Sequence, residues 1–293
     1  MTLFLMVIIA AMTAGTSLLL VTLGEIIAEK SGVINLGLEG MMLVGALAGF
    51  AASHYTGSPV LGLAAAGLAG GVISCIHAFL VITLRCNQIV SGLALAILGS
   101  GLSSFFGQPM IGRTAKGFNP ILSDLNIIVF ISFGVAFALW GFLKYTRWGL
   151  NLSSVGQNPA ASDTAGLNVF RIRYMAVIFG GIMAGVGGAY LSLAYTQMWI
   201  ENMVAGRGWI AIALVIFSMW DPIKALLGAY LFGAVMAITL RIQAMGIQVP
   251  IYIMSMAPYI VTILALVFIT VFENARKRFG APESLGLPFS REG

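Results

Sequence analysis

Long uncharged stretches, separated by short polar segments, occupy most of the chain. A stretch of about 20 apolar residues is long enough to cross the hydrocarbon of a bilayer as a helix. The turn-rich run His54–Pro59 divides one interval that is too long for a single crossing, so that interval holds two helices. The intervals that predict spanning helices are Met1–Gly24, Gly40–Leu84 (two helices), Cys86–Gly112, Leu125–Leu143 and Tyr174–Ile200.

The last third of the chain is less regular. Gly208–Trp220 and Ala225–Leu240 are uncharged but short, and Ile242–Phe272 holds a further span from about Tyr252. The pattern predicts about nine crossings, within a range of eight to ten. The predicted fold is an all-α transmembrane bundle with broken segments, a single membrane domain over residues 1–273 followed by a tail, 274–293.

Composition agrees with this pattern and excludes several classes. Hydrophobic residues make up 59% of the chain and charged residues 9%, against roughly 45–50% and about 25% in soluble domains. A disordered chain, a disulfide scaffold, a coiled coil and a soluble nucleic-acid binder are excluded. The two cysteines, Cys75 and Cys86, are expected to be small core residues, because two ligands do not complete a metal site.

Placement of charge predicts the orientation. The segment from Lys144 to Arg173 carries four basic residues against one acid, Asp163, and the tail carries another four. Short loops rich in Lys and Arg stay in the cytoplasm. Both segments are therefore predicted to be cytoplasmic, with an even number of crossings between them, and the loop Gly107–Asp124 is predicted to lie on the other side.

Catalytic motifs are absent from the sequence. It contains no Gly-Lys-Ser/Thr phosphate-binding signature, and its only histidines are His54 and His77. No metal-ligand set and no nucleophile–base pair can be assembled from such a sequence. Transport, a channel or a scaffold remain as function classes, and the chain is not expected to be an enzyme.

The most polar run at a membrane boundary is Gly24–Ala46. It contains Glu25, Glu29 and Glu39, together with Asn35 and several glycines. An acid at the edge of a membrane segment is costly unless it is paired or faces water, so each of the three acids is a functional candidate. The alternative for all three is an interfacial loop whose acids are solvated.

Four motifs carry a resemblance to a known family. They are Gly-Val-Ile-Asn-Leu-Gly-Leu-Glu-Gly-Met-Met at 32–42, Asn-Gln-Ile-Val-Ser-Gly-Leu-Ala at 87–94, Val-Gly-Gln-Asn-Pro at 155–159 and Gly-Arg-Gly-Trp-Ile-Ala-Ile-Ala at 206–213. The chain resembles, from about residue 20 to 272, the permeases of bacterial ABC importers for branched-chain amino acids, simple sugars and nucleosides. The first motif looks most like the nucleoside (guanosine-type) branch.

The resemblance implies a set of partners. It implies ABC ATPase subunits that bind ATP and Mg, a second related permease in a heterodimer, an extracytoplasmic binding protein and a bacterial inner membrane. The chain itself would hold no cofactor and no metal. A nucleoside is the implied solute. A simple sugar or a riboflavin-like vitamin is the alternative, and a self-sufficient secondary transporter is a more remote one.

The cytoplasmic loop, about 145–173, contains the segment expected to receive force from the ATPase. Pro159 suits the first turn of a short helix, Asn158 its N-cap and Gly166 its C-terminal end. This segment is similar to the Glu-Ala-Ala-x-x-x-Gly coupling motif of ABC importers, with Ala160 in place of Glu and Ser162 in place of the second Ala. The predicted coupling residues are Asn158, Pro159, Ala160, Ala161, Ser162 and Gly166.

A neutral polar solute needs hydrogen-bonding groups without net charge along its path, and side-chain amides offer both donor and acceptor. The alternative is that these amides cap helices or join them by interhelical hydrogen bonds. The residues predicted to line the path are Asn35, Glu39, Asn87, Gln88, Ser91, Trp199 and Trp209.

Overall fold

The computed structural model describes residues 3–244, 250, 256–264, 267 and 280–291. The helices that carry the fold are α1 (Leu3–Lys30), α2 (Leu38–Thr56), α3 (Pro59–Ala78), α4 (Gln88–Gly107), α5 (Ile127–Tyr145), α6 (Arg147–Gln157), α7 (Pro159–Thr164), α8 (Val169–Tyr190), α9 (Arg207–Phe217) and α10 (Pro222–Ala244). A π-helical turn extends α3 over Phe79–Thr83, and another extends α8 over Leu191–Tyr195. The loop after α4 holds a 3₁₀ turn, Gln108–Met110, and a small hairpin of β1 (Pro120–Leu122) and β2 (Leu125–Asn126).

Six described helices are long and apolar enough to cross a membrane: α1, α3, α4, α5, α8 and α10. The prediction of an all-α polytopic bundle is confirmed. Helix α2 has 19 residues and begins beside Glu39, whereas α9 has only 11. At 1.5 Å per residue α9 is about 16 Å long, roughly half the thickness of the hydrocarbon. The predicted last span falls largely outside the described residues, although residues 256–264 are helical.

Polar side chains cap the N-termini of several helices, at the polar positions that separate the apolar stretches. The Ser58 hydroxyl accepts from the Leu61 N–H, with Pro59 at the first position of α3. The Asn126 side chain caps α5 and the Asn168 side chain caps α8 in the same way. Each cap satisfies a backbone donor that the helix cannot satisfy itself.

Helix α8 occupies the centre of the bundle, packed against α1, α2 and α3. Glycines make this close packing possible. A Cβ on Gly45 of α2 would overlap the backbone of Gly185 in α8, and a Cβ on Gly185 would overlap the backbone of Ala66 in α3. Small residues at these positions let the backbones of α2, α3 and α8 approach closely.

Two sequence-based expectations were wrong. Helix α1 continues through Lys30 rather than ending near Gly24. Glu25 and Glu29 are buried within it, which excludes the alternative of a solvated interfacial loop. The helix tolerates them because both carboxylates have partners inside the bundle. Cys75 and Cys86 are exposed on its outer surface and are not core residues.

The bundle has two distinguishable ends. At one end lies the segment between α1 and α2, residues 31–37, here called the connector. The strap, residues 280–291, contacts this connector through a hydrogen bond from the Gly286 N–H to the Gly32 carbonyl at 3.2 Å. At the far end of α2, His54 Nδ1 lies 2.6 Å from the Thr114 carbonyl. The strap and the 145–173 loop thus lie at one end of the bundle and the loop containing Thr114 lies at the other, and the cytoplasmic side of the first end stays a prediction.

Candidate substrate path and coupling site

Glu39 joins two of the sequence motifs that are far apart in the chain. Its carboxylate accepts from the Gly206 N–H at 2.8 Å and from the Gly208 N–H at 2.7 Å. These donors belong to the first turn of α9, so Glu39 caps the half-length helix from a neighbouring element. A carboxylate is favoured there by both the free N–H groups and the helix dipole. Gly208 also has to be glycine-sized, because a Cβ would lie 2.5 Å from the Glu39 backbone nitrogen.

Arg207, at the start of α9, brings a positive charge next to Glu39. Its guanidinium donates through Nη1 to the carbonyls of Met203 and Val204, each at 3.2 Å. The guanidinium carbon lies 5.9 Å from the centre of the Tyr195 ring, within the range of a cation–π contact. Arg207 lies inside a quoted motif but is not among the predicted path residues.

The predicted path residues Gln88 and Ser91 meet the connector through a buried polar network. Gln88 Oε1 accepts from the Ile34 N–H at 2.8 Å. His77 of α3 bridges the two sides, with Nε2 3.0 Å from the Ile34 carbonyl and Nδ1 3.0 Å from the Ser91 hydroxyl. Because a carbonyl can only accept, Nε2 carries the hydrogen and Nδ1 accepts from Ser91. His77 was missed by the sequence analysis.

Asn35 is fully buried and organises the start of α2. Its Oδ1 accepts from the Gly37 N–H at 2.9 Å, and its Nδ2 lies 3.3 Å from Met41 Sδ. Its backbone N–H donates to Glu25 Oε1 at 2.9 Å. Asn35 lies in the connector, Gln88, Ser91 and Glu39 lie next to it, and each of the four has a partner within the chain.

The remaining predicted path residues lie in different surroundings. Asn87 is exposed and caps α4 by accepting from the N–H groups of Ile89 and Val90. Trp209 is 37% exposed in the first turn of α9, near Glu39. Trp199 is buried, and its indole packs against Gly107 at the end of α4. The structure thus places Trp209, but not Trp199, beside Glu39 and its two donors Gly206 and Gly208, here called the Glu39 cluster.

The candidate acids Glu25 and Glu29 are both buried in α1, apart from the predicted path residues. Glu29 Oε2 accepts from Trp220 Nε1 at 2.6 Å, which ties α1 to the turn after α9. Glu25, one helical turn earlier, is fully buried and has one carboxylate oxygen without a partner. The Trp-Asp-Pro sequence at 220–222 marked the end of α9 but gave no indication of the distant acid that Trp220 binds.

The coupling segment has the local structure that the sequence predicted. Asn158 Oδ1 accepts from the Ala161 N–H at 2.9 Å, Pro159 begins α7, and Gly166 has a φ of +87° after its end. Ser162, one of the two departures from the coupling motif, is buried and bonds the Ser154 hydroxyl of α6 at 2.8 Å. Ala160 and Ala161 are exposed.

Asp163 on α7 forms a two-pronged pair with Arg291 of the strap. Arg291 Nε lies 2.8 Å from Oδ2, and Nη2 lies 2.8 Å from Oδ1. These hydrogen bonds raise the pKa of Arg291 above its ordinary value. The pair links the coupling segment to the carboxyl-terminal tail, which the sequence analysis treated only as a basic cytoplasmic end.

Among the described residues, no group of three His, Cys, Asp or Glu side chains converges on a point that could hold a metal ion. Six described helices that are long and apolar enough to span a membrane, a half-length helix whose N-terminus is capped by Glu39, and a short capped helix at one end describe a multi-pass membrane protein.

Comparison with known proteins identifies the family. The family model described as the permease component of branched-chain amino acid transport systems matches residues 7–271. The chain belongs to this family of ABC transporter permeases. Its members are permease subunits rather than enzymes, so the expectation that the chain is not itself an enzyme is confirmed.

Individual relatives cover nearly the whole chain. The putative glucose ABC transporter permease TsgC13 of Haloferax volcanii is 40% identical over 97% of both chains. The guanosine ABC transporter permease NupQ of Bacillus subtilis is 33% identical over 96% of this chain and 95% of its own. The nucleoside ABC transporter permease NupC of Lactococcus lactis is 34% identical over 89% of this chain and 92% of its own. No solved structure matches the chain.

A second, less similar permease from two of the same organisms also matches. These are the glucose permease TsgB13 of Haloferax volcanii, at 25% identity, and the guanosine permease NupP of Bacillus subtilis, at 24%. Membership of an ABC transporter complex follows from the family.

Proposed function

We propose that this chain is the permease subunit of an ATP-driven importer for a nucleoside, handed over by an extracytoplasmic binding protein. The observation that carries the coupling part is α7, a separately capped helix at the end of the bundle where the strap lies. The nucleoside is supported by relatives named as guanosine and nucleoside permeases. A glucose-type sugar is a second candidate, because TsgC13 shares 40% of its residues.

The two solutes can be separated by uptake. In vesicles that contain the full transporter, labelled guanosine should accumulate with ATP inside, and excess unlabelled glucose should not compete. Accumulation of glucose with no competition by guanosine would replace the nucleoside by the sugar. Uptake driven by an ion gradient without ATP would contradict the importer proposal itself.

We further propose that the solute passes beside the Glu39 cluster. The other residues proposed to line its path are Asn35, Gln88 and Ser91 at the connector, Asn87 at the start of α4, Trp209 on α9, and Trp199 towards the far end of the bundle. Partly exposed Trp209 offers an indole face on which a base or a sugar ring can stack. The Glu39 charge faces backbone donors of α9, which suits a path for a neutral solute.

Alanine variants test the path. Trp209→Ala should weaken uptake or change selectivity while insertion and stability remain as in the wild type. Gln88→Ala separates a path role from a structural one, because a purely structural Gln88 would lower thermal stability and leave transport by the surviving protein normal.

The coupling proposal assigns Asn158–Gly166 to contact with the ATPase, which binds ATP and Mg in a separate subunit. Gly166→Pro should abolish solute-stimulated ATP hydrolysis, since proline cannot adopt a φ of +87°. Gly166→Asn is the matched control, because asparagine tolerates the left-handed region far better than other residues. Equal stimulation in both variants would remove the segment from the coupling mechanism.

We also propose a heterodimer with a second related permease in the cytoplasmic membrane. Its support is the pairing of two different permeases among the relatives. A tagged copy of this chain should purify with one different permease chain and with no untagged copy of itself.

A further inference from the structure

The strap is anchored to the coupling end of the bundle by main-chain and side-chain bonds along its length. The Ser284 N–H and hydroxyl both donate to the Gly156 carbonyl, at 3.0 and 2.7 Å. The Gly286 N–H donates to the Gly32 carbonyl. Phe289 is buried against Val155 and Val169. The strap therefore contacts the connector, α6 and α8 at the same time.

Arg173, at the start of α8, is the centre of this anchorage. Only 2% of it is exposed, and its three nitrogens donate to three different groups. Nε donates to the Ser31 carbonyl at 3.1 Å, Nη2 to the Ser284 hydroxyl at 3.1 Å and Nη1 to the Leu287 carbonyl at 3.2 Å. A buried arginine needs its donors satisfied, and here the connector and the strap supply all three acceptors.

The end of the strap reaches α7 and supplies a charge beside it. The exposed surface of α7 includes the uncharged residues Ala160, Ala161 and Thr164. Arg291, paired with Asp163, is 59% exposed next to that surface. The guanidinium uses one edge on Asp163 and has donors left for another molecule.

We propose that the strap, residues 280–291, is part of the ATPase docking surface and fixes the position of α7 relative to the connector between α1 and α2. This inference rests on the proposed coupling role of α7. The partner surface that fits is a groove of small and apolar side chains with an acidic residue opposite Arg291. Through Arg173 and Gly32, a displacement of α7 by the ATPase is carried directly to the connector.

A truncation tests the strap as a whole. The full-length chain is purified from membranes with the ATPase that accompanies it, and is compared with a chain ending at Gly280 and a control chain ending at Arg291. The chain ending at Gly280 should insert but retain several-fold less ATPase, and its transport per ATP hydrolysed should fall. The control should match the wild type. A chain ending at Gly280 with normal ATPase retention and normal transport per ATP would overturn the proposal.

Charge reversal tests the contact between Asp163 and Arg291 without removing the strap. It also tests the docking proposal if the truncated chain fails to insert. Asp163→Arg and Arg291→Glu should each lower ATPase retention about three- to fivefold, the size that an exposed two-pronged ion pair supports. The double variant should retain more ATPase than the worse single variant because it restores the pair between α7 and the strap, but less than the wild type because Glu at position 291 then faces the acidic residue of the partner. Two silent single variants, or a double variant no better than the worse single one, would contradict the docking role.

The outcomes also separate this inference from the function on which it rests. If Gly166→Pro abolishes ATPase stimulation while the strap variants behave normally, α7 couples to the ATPase and only the strap proposal is wrong. If Gly166→Pro leaves ATPase stimulation and retention intact, the proposed coupling function is wrong.

Discussion

Replacing Glu39 by alanine tests the claim that this acid caps α9 from a neighbouring helix. The variant removes two charge-assisted hydrogen bonds, to the Gly206 and Gly208 N–H groups at 2.8 and 2.7 Å. A bond to a charged group contributes about 1.5–3 kcal/mol, and loss of a helix cap alone costs roughly 0.5–2 kcal/mol. The two bonds share one carboxylate, so the values do not add fully, and we expect a loss of about 3 kcal/mol in the free energy of unfolding.

A short series of variants resolves the contributions. Glu39→Gln keeps one acceptor oxygen and loses the charge, so its cost should be about half that of alanine. Glu39→Asp keeps the charge but is one methylene shorter, and it should reach one of the two N–H groups. The expected order of thermal stability in detergent is wild type, then Asp and Gln, then Ala. Glu201→Ala, at an exposed acid in the loop before α9, is the matched control and should be neutral.

Transport measured on the same preparations gives the decisive comparison. If Glu39 acts as a cap, uptake should fall in parallel with the folded fraction across the series. A Glu39→Ala protein as stable as the wild type but unable to transport would refute the capping argument and make the carboxylate a solute-binding group.

Three further variants test a helix packing contact, a buried hydrogen bond and a helix cap. Gly45→Ala should reduce the yield of folded protein, since its methyl group would overlap the Gly185 backbone, while Gly101→Ala, with nothing within 4 Å of the added atom, should be neutral by fluorescence-detected size exclusion. Trp220→Phe removes the 2.6 Å bond to Glu29 and should destabilise the fold by about 1–3 kcal/mol in thermal unfolding; an unchanged melting temperature would mean that Glu29 finds another donor. Asn158→Ala should weaken α7 by about 1 kcal/mol and lower ATPase stimulation, Asn158→Ser should retain most of it, and equal stimulation in the two would exclude the cap.

Local features of the fold could be predicted from the sequence because each depends on neighbouring residues. The break between α2 and α3 follows from His54–Pro59, and the α7 cap and its end follow from Asn158, Pro159 and Gly166. Hydrophobic stretches locate membrane helices because a spanning backbone has few alternatives to a helix. The four motifs then indicated the family, and three of them proved to be in contact, since the first motif binds the second through Ile34 and Gln88 and the fourth through Glu39.

Long-range partners could not be predicted, because no local pattern encodes them. Glu29 and Trp220 are separated by 191 positions, and Glu39 and Gly208 by 169. Without these partners the charges of Glu25 and Glu29 appeared incompatible with a helix interior, so the end of α1 was placed too early. The strap was missed for the same reason, since its anchoring groups lie on α6, α8 and the connector.

The connector between α1 and α2 is held by polar groups from every side, and this determines how it can move. Its Ile34 N–H and carbonyl bind Gln88 of α4 and His77 of α3, and its Asn35 N–H binds Glu25 of α1. Its Ser31 carbonyl binds Arg173 of α8. A buried backbone group left without a partner is costly, so the connector cannot shift alone without breaking several such bonds together. A displacement of the connector must therefore move the adjoining ends of α1, α3, α4 and α8 as one unit. Because α2 begins directly after the connector, the same displacement also moves Glu39 and the cap that it forms on α9.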